Sequence, residues 1–305
     1  MTYEQKVEKF VLNKTIELCF LNSGHSLKSE LCSLFHVSNS YLKKYKKFLT
    51  KENDIKAKEK YRIPINIVNY GLVNPLYDGP QVKVLYEDED FLVLSKPVKI
   101  HSHPLGYDES DNLLSFLREN GFDKVLWVNS KQYDRGLLHR LDFETSGVIL
   151  LAKKQQIYEY VRNYPSDFFK QKVYLAIVNG KIEKTQTLVH YLSSCGKKKA
   201  KVKASQDDHP DAFRAECLVE PLDYHANNNL SLVRLKLKEG KRHQLRVQMA
   251  ANKTPILGDP LYGTTPAQRM FLHSLSYEVF YQKKYSFQDH NLESFKNFFD
   301  LNSEF

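Results

Sequence analysis

The sequence is poor in the residues from which disulfide frameworks and metal centres are built. Its 305 residues hold four cysteines, Cys19, Cys32, Cys195 and Cys217, with no CxxC pair among them. A disulfide scaffold needs a denser set in a smaller chain, and a structural zinc site needs tightly clustered ligands. The 11 histidines follow neither HExxH nor HxH spacing, so no metal site is expected. No window approaches the roughly 18 consecutive apolar residues of a membrane-spanning helix. The stretch Met1 to Phe20 alternates charge with apolar side chains and lacks the apolar core and small-residue cleavage site of a secretory signal. A reduced, cytoplasmic protein is expected.

What the chain does have is apolar surface and positive charge. Hydrophobic residues make up 42% of it, with 19 Tyr and 18 Phe, far more than a solvated coil carries. The length suits one large catalytic domain with a small appendage. Lys and Arg number 45 against 36 Asp and Glu, a formal net charge of +9. That bias favours polyanionic partners, and alone it does not separate nucleic acid from an acidic membrane surface.

Two parts differ in pattern. Over residues 1–80, Tyr3–Leu21 and Leu27–Leu49 carry apolar residues at helical spacing, as in Leu27, Leu31, Leu34 and Phe35. Lys43, Lys44, Lys46, Lys47 and Lys51 follow, either a solvated helix face or a phosphate-contacting surface. Turn chemistry at Asn74-Pro75 and Asp78-Gly79-Pro80 marks a linker. Over residues 81–305, strand-like segments dominate: Val82–Tyr86, Phe91–Ser95, Val148–Ala152, Val173–Val178, Arg214–Glu220 and Leu230–Leu237. Helical spacing appears at Asn112–Asn120, Gln156–Asn163, Gln244–Asn252 and Leu292–Phe299. Short connections such as that between Tyr86 and Phe91 favour hairpins, and no regular βαβ alternation is present. The expected fold class is therefore α+β, with a mixed, mostly antiparallel sheet and flanking helices.

Three strings stand out as carriers of chemistry. The first is His139-Arg140-Leu141-Asp142-Phe143-Glu144-Thr145-Ser146-Gly147, which runs straight into the apolar Val148–Ala152. A charge at the mouth of a buried strand is costly unless paired or set in a cleft, so the loop reads equally as an active site or a structural ion-pair network. It is not a kinase loop, because Leu141 is inserted before the acid and no D-F-G occurs. The second is Lys172–Gly180, where Tyr174 alternates with Val173 and Leu175 and so faces opposite them; a tyrosine packed on a sheet with a wet hydroxyl is the commoner fate of such a residue. The third is Gly240-Lys241-Arg242-His243-Gln244-Leu245-Arg246. At helical spacing Arg242 and Arg246 share a face and could converge on one anion.

Together these strings resemble the pseudouridine synthases of the RluA type. Glu87–Pro97 with His101–Pro104 is similar to that family's first motif, and His139–Asp142 with Thr145-Ser146-Gly147 to its catalytic loop. Lys172–Gly180 matches its tyrosine strand, Gly240–Arg246 with Gly258-Asp259 and Tyr262-Gly263 its third motif, and Arg269 with Leu272-His273 its tail. The resemblance runs in order from about Val82 to Tyr277. Lys241 stands where an arginine is usual and Gln248 where a histidine is common, and no His-Pro follows Tyr277.

The resemblance implies a sheet with a central cleft, in which uridine within RNA is isomerised without metal or cofactor. It makes Asp142 the catalytic carboxylate, as nucleophile or as base, with Glu144 its rival on the same loop. Arg246 becomes the arginine that pairs with it, and Tyr174 the residue that stacks on the base and assists proton loss from C5. His139, Arg140, Lys241 and Arg242 are expected to bind substrate, and Lys198 and Lys199, within a basic loop from Lys197 to Lys203, to touch the RNA backbone. Residues 1–80 occupy the place of an S4-type RNA-binding module, faintly echoed at Phe35–Lys44, with a helical extension as the alternative. A monomer acting on ribosomal or transfer RNA is expected. A catalytically silent RNA-binding protein on the same fold is the rival, and it would be expected to lose Asp142. A glycosidase fits poorly, since Asp142 and Glu144 are too near in sequence to guarantee opposite sides of a sugar ring.

Overall fold

Glu17 points outward between the half-buried Ile16 and Leu18, and that period of two makes Thr15–Cys19 a strand (β1) in the computed structural model. This corrects the helix expected over Tyr3–Leu21, whose earlier residues lie outside those described. The structure describes residues 15–35, 37, 39–45, 49, 54–68, 72–106, 109–130, 132–196, 201–237 and 239–299. They fall into two compact units, one within 1–80 and 101–136, the other within 81–100 and 137–305.

In the first unit, β2 is Gly24–Ser26, β3 Asp54–Ile55 and β4 Lys60–Pro64. β1 pairs antiparallel with β4, setting Ile16 opposite Ile63, and β2 pairs with β3. The helical stretch expected over Leu27–Leu49 is broken: one helix spans Leu27–Phe35, a short one Asn39–Leu42, and a 3-10 turn Lys43–Tyr45. Leu27, Leu31, Leu42, Ile55, Ile63 and Ile67 close a small core of their own. Lys43 is exposed, while Lys46, Lys47 and Lys51 lie outside the described residues. In the same unit Asn112 caps the helix Leu113–Glu119, its side chain accepting from the Ser115 N–H at 3.0 Å. Phe116 of that helix meets Tyr77 edge-on, ring centroids 5.5 Å apart.

The second unit is built on one large sheet. Its strands are β5 (Lys83–Glu87), β6 (Phe91–Lys96), β7 (Ser146–Ala152), β8 (Phe169–Asn179), β9 (Gln186–Cys195), β10 (Lys201–Ser205), β11 (Phe213–His225), β12 (Leu230–Leu237), β13 (Leu272–Tyr281) and β14 (Lys283–Gln288). The spatial order is β10-β9-β11-β12-β8-β13-β7-β6-β5, with β14 paired to β13. β13 runs parallel to β7, and the other pairs are antiparallel. Every residue of β6 and β7 is buried, as their unbroken apolar runs require of strands covered on both faces. On one side Val173, Leu175 and Ile177 of β8 pack with Phe271, Leu292 and Phe295. Alternation sends Tyr174 the other way.

One glycine fixes where the catalytic-loop string joins the sheet. Gly147 has φ +111°, and a Cβ there would collide with the Ser274 carbonyl. Only glycine lets β7 lie this close to β13.

Candidate active site

Asp142 sits on the loop between His139 and the first residue of β7, its side chain one-quarter exposed. The loop is clamped from below. The Thr145 N–H donates to the Asp142 carbonyl at 3.1 Å, and the Lys99 N–H to the Phe143 carbonyl at 2.8 Å. Lys96, the last residue of β6, is fully buried, and its Nζ donates to the carbonyls of Pro97 and Ile100 at 2.9 Å and of Phe143 at 3.4 Å. Burial pulls its pKa down to about 7 despite the attraction of Asp142 and Glu144. The motif comparison contains Lys96, but the residue pattern assigns it no role; a lysine ending an apolar strand was the available signal.

Arg246 reaches the loop from the helix Gln244–Ala251. The turn into that helix is braced by Gln244. Its Oε1 accepts from the Gly240 and Lys241 N–H groups at 3.1 and 2.9 Å, and its Nε2 donates to the Glu216 carbonyl and to Glu239 Oε2, both at 3.1 Å. His243 then takes a left-handed conformation, φ 55°. That break puts Arg242 before the helix, so the expected shared face of Arg242 and Arg246 does not form. Arg242 instead donates from Nη2 to the Lys201 carbonyl at 3.3 Å. Further along the helix, Gln248 is buried and donates to the carbonyl of Ala215 at 3.1 Å and of Leu188 at 3.3 Å, tying the helix to β11 and β9.

The Arg246 guanidinium joins three carboxylates. Its Nη1 donates to Asp142 Oδ2 at 2.9 Å and lies 3.5 Å from Glu144 Oε2. Its Nε and Nη2 donate to the two oxygens of Asp259, each at 2.8 Å. Burial alone would lower the arginine's pKa, but the bonds to Asp259 and the charges of Asp142 and Asp259 outweigh it and raise the value. Asp259 is shifted the opposite way. Its burial is overcome by Arg246 and by the Leu261 and Tyr262 N–H groups at 2.8 and 3.1 Å, which hold the carboxyl below the usual range. The family resemblance places Asp259 in the third motif without giving it a role, and its turn-rich segment alone reads as a loop.

A second brace comes from His243. The Tyr262 hydroxyl accepts from the Val202 N–H at 2.9 Å and lies 2.9 Å from His243 Nδ1. The other ring nitrogen, Nε2, lies 3.9 Å from Asp142 Oδ2. This chain connects the edge strand β10 to the carboxylate. Neither His243 nor Tyr262 receives a role from the sequence pattern.

Tyr174 is buried on β8, and its hydroxyl lies 2.8 Å from that of Tyr277. Burial raises its pKa, the hydroxyls of Tyr277 and Ser274 lower it, and the Asp142 charge raises it again. Within the second unit Asp142 is thus bonded to Arg246, and its charge is felt at Tyr174. The tail motif reaches the same loop: Arg269 Nη2 donates to Ser146 Oγ at 2.6 Å, and Ser146 Oγ lies 2.8 Å from His273 Nδ1. Burial lowers the pKa of His273 to about 4.

The remaining expected residues are spread more widely. Arg140, Lys241 and Arg242 are exposed. Lys241 lies over the ring of Phe213, Nζ 4.5 Å from its centroid. His139 packs between Phe169 and Tyr277, and its Nε2 accepts from the Leu150 N–H at 3.2 Å; that places its ring among side chains of the sheet. Lys198 and Lys199 lie outside the described residues. Lys201 and Lys203 are exposed on β10, at the edge of the sheet. Among the described residues no group of three or more His, Cys, Asp or Glu is set to hold a metal ion. None of the described helices is long and apolar enough to cross a membrane.

The fold is that of a known class. The chain is similar in structure to a human RNA pseudouridylate synthase domain-containing protein 1, with a TM-score of 0.58 at 21% identity over 71% of this chain and 87% of that one. Residues 90–251 match the family model described as RNA pseudouridylate synthase. The chain belongs to this family. It is 31% identical over 203 residues to a ribosomal large subunit pseudouridine synthase D of Borreliella burgdorferi, covering 65% of this chain and 61% of that one. It is 33% identical over 207 residues to an uncharacterized RNA pseudouridine synthase of Haemophilus influenzae, covering 66% and 83%. The chain thus spans about three-fifths of the length of the Borreliella relative.

Proposed function

We propose that this chain isomerises uridine in RNA to pseudouridine, with Asp142 as the catalytic carboxylate. The observation that carries the reading is the Asp142–Arg246–Asp259 array. One partly exposed acid is aimed by a buried arginine that is itself fixed by a buried acid. An acid so placed suits attack on C1′ or removal of the C2′ proton. The N1–C1′ bond breaks, the uracil turns in place, and C5 bonds to C1′. Tyr174 stacks on the base and takes part in loss of the C5 proton. These steps call on neither a metal nor a redox partner.

A uridine in a stem cannot reach such an acid, so the enzyme flips its target or acts on a loop. The basic edge then contacts phosphates. Lys201 and Lys203 on β10 and the neighbouring Lys241 and Arg242 supply the described charges. Lys198 and Lys199 extend the same stretch of sequence, and Arg140 adds a cation from the catalytic loop. Phe213, 60% exposed under Lys241, offers a face for stacking. His139 serves better as a support of Tyr277 than as a substrate contact.

Ribosomal RNA is the favoured substrate, as in the name of the Borreliella relative, with transfer RNA second. Residues 1–80 form an RNA-binding module in this reading, and the enzyme acts as a cytoplasmic monomer. Chemical mapping of pseudouridines in cellular RNA with and without the gene tests this. Loss of one or a few sites in ribosomal RNA is expected, and an unchanged map contradicts it.

A further inference from the structure

A chain of side chains runs from the backbone of β7 to the phenol of Tyr174. His139 Nε2 accepts from the Leu150 N–H at 3.2 Å, so Nε2 is the unprotonated ring nitrogen. Burial pulls the imidazole pKa to about 3, and a neutral ring with an accepting Nε2 carries its proton on Nδ1. Nδ1 lies 3.4 Å from the Tyr277 hydroxyl oxygen, and the ring also bonds the backbone of Arg140, so its one N–H is shared between the two and no lone pair on Nδ1 is left for the Tyr277 proton. The Tyr277 proton is thereby directed onto the Tyr174 oxygen, 2.8 Å away. The rings hold this order. His139 and Tyr277 stack at 4.5 Å, and Phe169 meets each edge-on at 5.8 Å. Ser274, beside both phenols, donates its proton to the Val148 carbonyl at 3.2 Å, so it does not displace Tyr277 as donor.

We propose that Tyr277 is a positioning residue for Tyr174: oriented by His139, its hydroxyl donates to the Tyr174 oxygen and fixes where the Tyr174 O–H can point. The proposal rests on the uridine-isomerising reading above, in which a proton must leave C5. In that step the C5–H bond breaks, its electron pair re-forms the C5–C6 double bond, and the C6–N1 π pair moves onto N1. The proton passes to the Tyr174 oxygen while the tyrosine's own hydroxyl proton passes to the Asp142 carboxylate. Asp142 then returns a proton to N1, and both side chains end as they began. Negative charge builds on the phenol oxygen during the transfer, and a fixed donor aimed at that oxygen lowers the barrier.

Two measurements on the full chain separate this proposal from the activity on which it rests. Nitrogen-15 NMR of the wild type at neutral pH is expected to show His139 protonated at Nδ1 and bare at Nε2; the opposite tautomer overturns the relay. With RNA carrying tritium at uridine C5, Tyr277→Phe is expected to lower kcat for tritium release roughly tenfold to a hundredfold. KM should stay unchanged, and the isotope effect of C5 deuteration should grow. An unchanged kcat and isotope effect in the folded variant overturns the positioning role. Absence of tritium release from the wild type overturns the uridine reading instead, and the tautomer alone then decides the direction of the relay.

Discussion

Asp259 grips Arg246 through two parallel hydrogen bonds of 2.8 Å, with both side chains out of water. The pair leaves Nη1 as the arginine nitrogen that reaches Asp142. Removing one member of a buried ion pair strands the other's charge, which costs about 3–5 kcal/mol. Asp259→Asn is therefore expected to lose stability of that order in urea unfolding and to lower turnover, since Arg246 is no longer aimed. A loss below about 0.5 kcal/mol, the size of an ordinary surface substitution, contradicts this account of the pair.

Lys96 gives stability a definite pH dependence. Its pKa is about 7 when folded and about 10.4 in an unfolded chain. Between these values the unfolded chain binds the extra proton, so stability rises with pH, by up to about 1.4 kcal/mol per unit. Below pH 7 both states are protonated and the contribution is flat. The unfolding free energy of the wild type relative to Lys96→Met should climb from pH 7 to 9.5. A constant difference over that window contradicts the buried, proton-shedding lysine.

The edge strand should carry the salt dependence of RNA binding. Each phosphate contact releases counterions and steepens the fall of affinity with salt. Lys201→Glu with Lys203→Glu is expected to weaken binding of a ribosomal RNA fragment by tenfold or more, and to flatten the plot of log affinity against log salt. Filter binding at several salt concentrations measures both. An unchanged slope moves the RNA path away from β10.

Much of the sheet was legible because its inner strands are apolar without interruption or alternate cleanly. Phe91–Ser95, Val148–Ala152 and Leu230–Leu237 all fall within observed strands. Gln186–Cys195, Lys201–Ser205 and Lys283–Gln288 were not legible, since serine, threonine, lysine and glutamine leave little apolar signal in them. Leu292, Phe295 and Phe299 have helical spacing, yet the helix is the single turn Glu293–Lys296, because those side chains are held by packing against Phe271 and Leu275 rather than by helix length. In the site, the Asp142–Arg246 pairing spans 104 residues, and only the family resemblance pointed to it. Asp259, His243, Tyr262 and Tyr277 act through partners that neither spacing nor periodicity brings together.

The most direct test of the central claim is tritium release from RNA labelled at uridine C5, with wild type and Asp142→Asn compared at equal folded concentration. The account predicts release by the wild type and none above background from the variant, whose missing charge leaves shape and fold in place. Near-wild-type release from Asp142→Asn would contradict it.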